Sequence, residues 1–94
     1  MAQSTILAAG NTAATSTDVV VASGATVVIG IFSASADTIP VDVRFSVFRD
    51  TPGADNVMAL LNNNCRAITI TGPGTYRVGR PAYTGAAFGV FLEA

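Results

Sequence analysis

The stretch VDVRFSVFRD, residues 41–50, decides the fold class. Its apolar residues recur at every second position, at Val41, Val43, Phe45 and Val47. Side chains of a β-strand point alternately to opposite faces, so this pattern predicts a strand with one buried face. Phe48 interrupts the otherwise polar second face, which indicates that this face is also partly covered.

The rest of the chain consists of similar short segments. Val, Ile, Thr and Phe dominate, strong helix formers are scarce, and turn residues recur at short intervals. We predict strands at residues 4–9, 17–22, 25–33, 41–50, 57–61, 66–71, 75–80 and 86–92. The sequence therefore predicts an all-β fold with one domain over residues 1–94. This domain is a small β-sandwich of about eight strands with a jelly-roll or immunoglobulin-like topology.

Three segments add detail to this prediction. ATVVIGIFS, residues 25–33, is apolar on both faces, so it is either central in the core or pressed against a partner. Phe91 lies on the face opposite the apolar set of the last strand, which again indicates a covered outer surface. TPGADNVMALLNNN, residues 51–64, also has helix-like spacing, but its short length favours a strand.

The composition indicates a surface that is covered by other protein. Only 12% of the residues are charged, and the five cationic residues are all arginines. Arginine is enriched at protein interfaces, whereas lysine is depleted there. The formal net charge of −1 argues against a nucleic-acid partner, because the chain has no excess of positive charge to neutralise phosphates. The uncharged segment 19–36 is interrupted by turn residues, so we expect two strands there and no membrane partner.

Residues that carry chemistry are few. The chain has no histidine, and its single cysteine, Cys65, excludes an intrachain disulfide. Asp50 and Asp55 flank a turn, where aspartate has an ordinary structural role. The segment around them lacks the residue spacing of a calcium-binding loop. We therefore expect no enzymatic activity, no metal and no cofactor.

TITGPGTYRVGRP, residues 69–81, is the most motif-like segment. A phosphate-binding loop would need a helix after its glycines, but a strand pattern follows. Proline and glycine at Gly72-Pro73-Gly74 suit a type II turn, so we predict a hairpin. Arg77 and Arg80 follow in its second strand. We expect them to pair with an aspartate of the same subunit (Asp42, Asp50 or Asp55) or with a carboxylate of a neighbouring subunit.

Three segments together resemble small virion structural proteins of tailed bacteriophages. They are ITITGPGTYRVGRPA, AAFGVFLE and the N-terminal AQSTILAAGNTAATSTDVVVASGATVVIGIF. Such proteins are short all-β subunits that decorate or cement phage heads, or serve as accessory tail components. The resemblance implies a sandwich that forms homo-oligomers and attaches to the major capsid protein or to another virion protein.

The sequence and the resemblance together lead to the hypothesis of a capsid decoration subunit located in the virion. Residues 1–12 would form an arm that contacts a neighbouring subunit. The candidate contact residues are Ile6, Leu7, Phe48, Arg77, Arg80 and Phe91. The alternative is a tail or adhesin module that recognises a cell-surface glycan, with Tyr83 as the candidate ligand contact.

Overall fold

The computed structural model describes residues 2–33, 35 and 38–94, and over these residues the protein is an all-β sandwich of nine strands. The strands are β1 (Gln3–Gly10), β2 (Ala14–Thr15), β3 (Val19–Val21), β4 (Thr26–Ser33), β5 (Phe45–Thr51), β6 (Ala54–Leu61), β7 (Ala67–Thr71), β8 (Gly74–Arg80) and β9 (Phe88–Glu93). The all-β prediction is confirmed. Within the same residues, no helix has the length and hydropathy that a membrane span requires.

The strands form two antiparallel sheets. The first sheet has the order β1-β9-β4-β7, and the second has the order β2-β8-β5-β6, with β3 also paired to β8. If β2 and β3 are counted as one interrupted strand, the strands form four antiparallel pairs, each enclosed in the sequence by the one before it. The pairs are β1 with β9, β2 and β3 with β8, β4 with β7, and β5 with β6. This nesting is that of a jelly roll, and it decides between the two predicted topologies.

Ser16 explains the interruption between β2 and β3. Its backbone N–H donates to the carbonyl of Val78, and its Oγ accepts from the N–H of Val78 at 2.9 Å. The side chain thus replaces a backbone carbonyl in the ladder with β8. The predicted strand 17–22 is observed only as β3, and the N–H of Thr17 donates to the carbonyl of Ile6 in the other sheet.

The core lies between the inner faces of the two sheets. Its largest fully buried side chains come from both sheets: Phe45, Phe88, Ile29, Leu61, Val43, Val47, Val78 and Val90. The alternation predicted for residues 41–50 is confirmed for Val43, Phe45 and Val47. It is wrong for Val41, which is 77% exposed, because residues 41 and 42 form a turn before the strand begins at Phe45.

The segment 51–64 contains a strand rather than a helix, as predicted; this strand, β6, ends at Leu61 as expected but begins at Ala54, three residues earlier than expected. β5 and β6 form a hairpin whose turn contains Gly53 at a φ of 93°. A side chain at that φ would be strained, so glycine suits the position. The Oγ of Thr51 donates to the carbonyl of Ala54 and closes the turn.

The hairpin predicted around Gly72-Pro73-Gly74 is wrong. β7 pairs with β4 in the first sheet, whereas β8 belongs to the second, so the turn carries the chain from one sheet to the other. Gly74 has no positive φ, and the glycine that matters is Gly72. A Cβ atom there would collide with the carbonyl of Ala22, because the turn passes close over the β3–β4 connection.

Arg80 holds three segments together at one end of the sandwich. The residue is only 8% exposed. Its guanidinium donates to the carbonyls of Thr12 at 2.7 Å, Ala8 at 2.7 Å and Phe88 at 2.9 Å. A rigid planar group with several donors suits such a contact better than an ammonium does. Arg80 therefore ties the end of β1 and the following loop to the start of β9.

We predict that Arg80→Met lowers the free energy of unfolding by about 3 kcal/mol, because three carbonyl oxygens lose a charged donor. Urea denaturation monitored by circular dichroism measures the change. Arg44→Met, measured at a protein concentration low enough to keep every variant monomeric, is the matched control, since it removes the same charge from an exposed residue and should leave stability nearly unchanged. Equal losses in the two variants would contradict the role given to Arg80.

Candidate interaction surface

The outer face of the second sheet carries a strip of apolar side chains. Leu60 lies opposite Ser46, and Val57 lies opposite Phe48, in the β5–β6 ladder. Val57 is 53% exposed and Leu60 is 45% exposed, whereas Phe48 is half-buried. Contiguous exposed apolar residues on a sheet face mark interaction surfaces more often than scattered ones do.

Both strands β5 and β6 shape this strip. The alternation places Ser46, Phe48 and Asp50 of β5, and Arg44 directly before it, on the outer face, because Phe45 and Val47 point into the core. In β6 a bulge inserts one residue, so that Val47 pairs with Ala59 and Phe48 pairs with Val57. Met58 is the inserted residue, and it is 55% exposed. We call the set Arg44, Ser46, Phe48, Asp50, Val57 and Leu60 the association face.

Phenylalanine rings on the outer faces lie over glycines of neighbouring strands. A Cβ atom added to Gly79 would lie 3.0 Å from the ring of Phe48, and one added to Gly30 would lie 2.5 Å from the ring of Phe91. Gly30 and Phe91 are direct partners in the β4–β9 ladder. The rings therefore lie down on the sheets, which explains why Phe48 and Phe91 are half-buried although both point away from the core.

Arg77 forms two ion pairs beside the association face. Its Nε donates to Asp18 at 2.9 Å, and its Nη1 donates to Asp55, so the guanidinium links β8 to β6 across β5. The hydrogen bonds with Asp18 and then Asp55 raise the pKa of Arg77 further above its ordinary value. The predicted pairing with Asp55 is confirmed, and Asp18 is a partner that the sequence did not indicate.

The other predicted contact residues have intramolecular roles. Residues 3–10 form β1, which pairs with β9 of the same chain, and Ile6 and Leu7 pack against the core. Arg80 is buried, with its donors taken by carbonyls of the chain. Contacts of these residues with a neighbouring subunit stay a prediction.

Tyr83 is half-buried beside the core. Its ring centroid lies 6.3 Å from that of Phe88, at an interplanar angle of 57°. Desolvation raises the pKa of Tyr83, and the charge of Asp42 and a hydrogen bond with it raise this pKa further. Tyr83 therefore has an intramolecular function, and its role as a ligand contact stays a prediction.

The titration of Tyr83 tests the environment described for its phenol group. In the Tyr76→Phe variant, we expect the absorbance of the phenolate to appear with a midpoint above pH 10, the ordinary value. Asp42→Asn should lower the midpoint without restoring it fully, because desolvation is the larger cause. The phenol ionises more easily in the unfolded chain, so stability should fall as the pH rises beyond about 10. A midpoint at the ordinary value would contradict this environment.

The first sheet has a depression on its outer side. It encloses about 620 Å3 and is lined by Phe91, Phe32 and Ile31, by the polar residues of β1, and by Arg66 and Ala67. Among the described residues, no group of three or more His, Cys, Asp or Glu side chains is placed to hold a metal ion. The arrangement offers apolar and hydrogen-bonding contacts.

Comparisons with known proteins give no match. No family model, no curated protein and no solved structure matches the chain.

Proposed function

We propose that this protein is a non-enzymatic structural subunit of a bacteriophage particle. It would act as a decoration or cement protein of the capsid that associates with copies of itself and with the major capsid protein. The observation that carries the proposal is the apolar strip of the association face, Val57 and Leu60 beside Phe48. Covering such a surface removes apolar area from water, and each Å2 removed stabilises the complex by about 25 cal/mol.

Two further observations support the proposal. Jelly rolls occur in viral capsid domains, and also in lectin domains, so the fold agrees with the proposal by analogy only. The resemblance of the sequence to phage virion proteins favours the first of these two classes. Weak contacts suffice in such a role, because a subunit held at several points of a repeated lattice gains affinity through effective concentration.

The glycan-binding alternative also has a structural observation in its favour. The depression on the first sheet combines the rings of Phe91 and Phe32 with polar groups of Gln3 and Thr5. Sugars bind through such combinations of apolar and polar contacts. A glycan array tests this function, and binding that disappears in Phe91→Ala but not in Phe48→Ala would favour it over the structural role.

We predict that the purified protein self-associates and that Leu60→Asn weakens the association at least tenfold. Burying one leucine side chain contributes roughly 1.5–3 kcal/mol, and tenfold in affinity corresponds to about 1.4 kcal/mol. Light scattering across a dilution series measures the change. Thr69→Asn, on the exposed outer face of the first sheet, is the matched control and should behave like the unmodified protein.

The particle assignment has a separate test. Antibodies against the protein should label intact phage particles from the source culture in electron microscopy. Labelling of cell surfaces without particles would overturn the assignment to a virion. A protein that stays monomeric at every concentration would overturn its self-association.

A further inference from the structure

Two charges of opposite sign stand at the two ends of the association face. Arg44 and Asp50 are both exposed. Within the part of the chain that the structure describes, neither side chain makes an ion pair or a hydrogen bond. Arg77 differs, since Asp18 and Asp55 both pair with it. Arg44 and Asp50 are therefore available to a partner.

The spacing of these charges gives the face a direction. Asp50 lies near the end of β5 and Arg44 directly before its start, with Ser46 and Phe48 between them on the outer face. Six residues at about 3.3 Å each place the two charges about 20 Å apart. The face is thus positive at one end, apolar in the middle and negative at the other end.

We infer that a second copy of this chain packs on the association face with its β5 antiparallel, so that each Arg44 meets the partner's Asp50. The inference rests on the proposed self-association and adds its surface and geometry. The two-fold axis of such a dimer lies between the second sheet of one copy and the second sheet of its partner. It runs perpendicular to the strands and passes near Val47. The dimer has an isologous contact, in which each residue pair occurs twice.

The remaining residues of the face fit the same arrangement. Leu60 lies level with Ser46, and Val57 lies level with Phe48. Rotation about the axis therefore places Leu60 over the partner's Val57, apolar on apolar. It also places Phe48 over the partner's Ser46, a large side chain on a small one. Facing sheets pack in this way at about 10 Å, with their strands nearly aligned.

The charges select this arrangement over the other two-fold solution. With the axis parallel to the strands, Arg44 would lie over the partner's Arg44, and Asp50 over the partner's Asp50. Like charges placed opposite each other across an interface cost several kcal/mol. The parallel arrangement is therefore disfavoured at both ends of the face.

The size of the face sets the expected strength of the contact. Four strands at about 4.8 Å and seven residues at about 3.3 Å give a sheet face of roughly 450 Å2 per copy. Standard specific interfaces bury about 800 Å2 per partner, so this contact belongs to the small class. We expect a dimer with a dissociation constant in the micromolar range, about the strength of transient contacts.

Complementary charge reversals test the inference. Arg44→Asp and Asp50→Arg are each examined alone and as an equimolar mixture, by sedimentation velocity across a dilution series. Each variant alone should dimerise at least tenfold more weakly, because both of its charge contacts become repulsive. The mixture should form a heterodimer about as tight as the unmodified dimer, since every contact is then between opposite charges. Glu93→Arg, on the outer face of the other sheet, is the control and should have no effect.

The outcomes separate this inference from the proposed function. Association that persists unchanged in both variants would overturn the inference and leave self-association intact. A mixture that remains as weak as its components would also overturn it, because the two charges would then not meet. A monomer at every concentration would overturn both proposals. If either reversal fails to fold, Arg44→Gln and Asp50→Asn replace it: each variant alone should dimerise more weakly, and the mixture should recover part of the loss, because the mixed dimer keeps one contact between Arg44 and Asp50.

Discussion

The contact between the inner faces of the two sheets is the constraint on which the rest of the structure depends. Phe45, Val47 and Val78 of the second sheet meet Ile29 and Phe88 of the first, and all are at most 2% exposed. Since side chains alternate along a strand, filling the inner positions fixes which residues point outward. Phe48 and Phe91 point outward for this reason, and their placement follows from the register of the core.

A glycine on the neighbouring strand reduces the free-energy cost of exposing these outward-pointing rings to water. Phe91 lies over Gly30, Phe32 lies against Gly89, and Phe48 lies over Gly79. A ring lying flat on the backbone buries part of its own surface and covers a position without a side chain. Phe48 and Phe91 consequently have a role within the subunit, and neither ring alone identifies an interface. The adjoining exposed residues Val57 and Leu60 distinguish the second sheet, because the β5–β6 pairing places them beside Phe48.

Local alternation could be predicted from the sequence, and long-range pairing could not. The pattern of residues 41–50 located the inner face of β5 and the outward position of Phe48. The turn at Gly72-Pro73 was read as a hairpin, because the same residues serve a turn within a sheet and a turn between sheets. The sequence predicts a carboxylate partner for Arg80, since no sequence pattern reveals three carbonyls contributed by segments at residues 8, 12 and 88. For the same reason, Asp18 was missed as a partner of Arg77.

The edges of the sheets favour association through a face over association by added strands. Each edge is interrupted or short: β1 has two register shifts, β2 and β3 are separated at Ser16, β6 carries the bulge at Met58, and β7 has five residues. Bulges and short strands at an edge hinder pairing with another chain. The edges of the sandwich therefore disfavour the addition of strands from other chains. The association face, in contrast, has exposed apolar residues between two opposite charges. A face with two-fold complementarity closes after one partner is bound, so association through it stops at two copies, whereas strand addition at an open edge has no such limit.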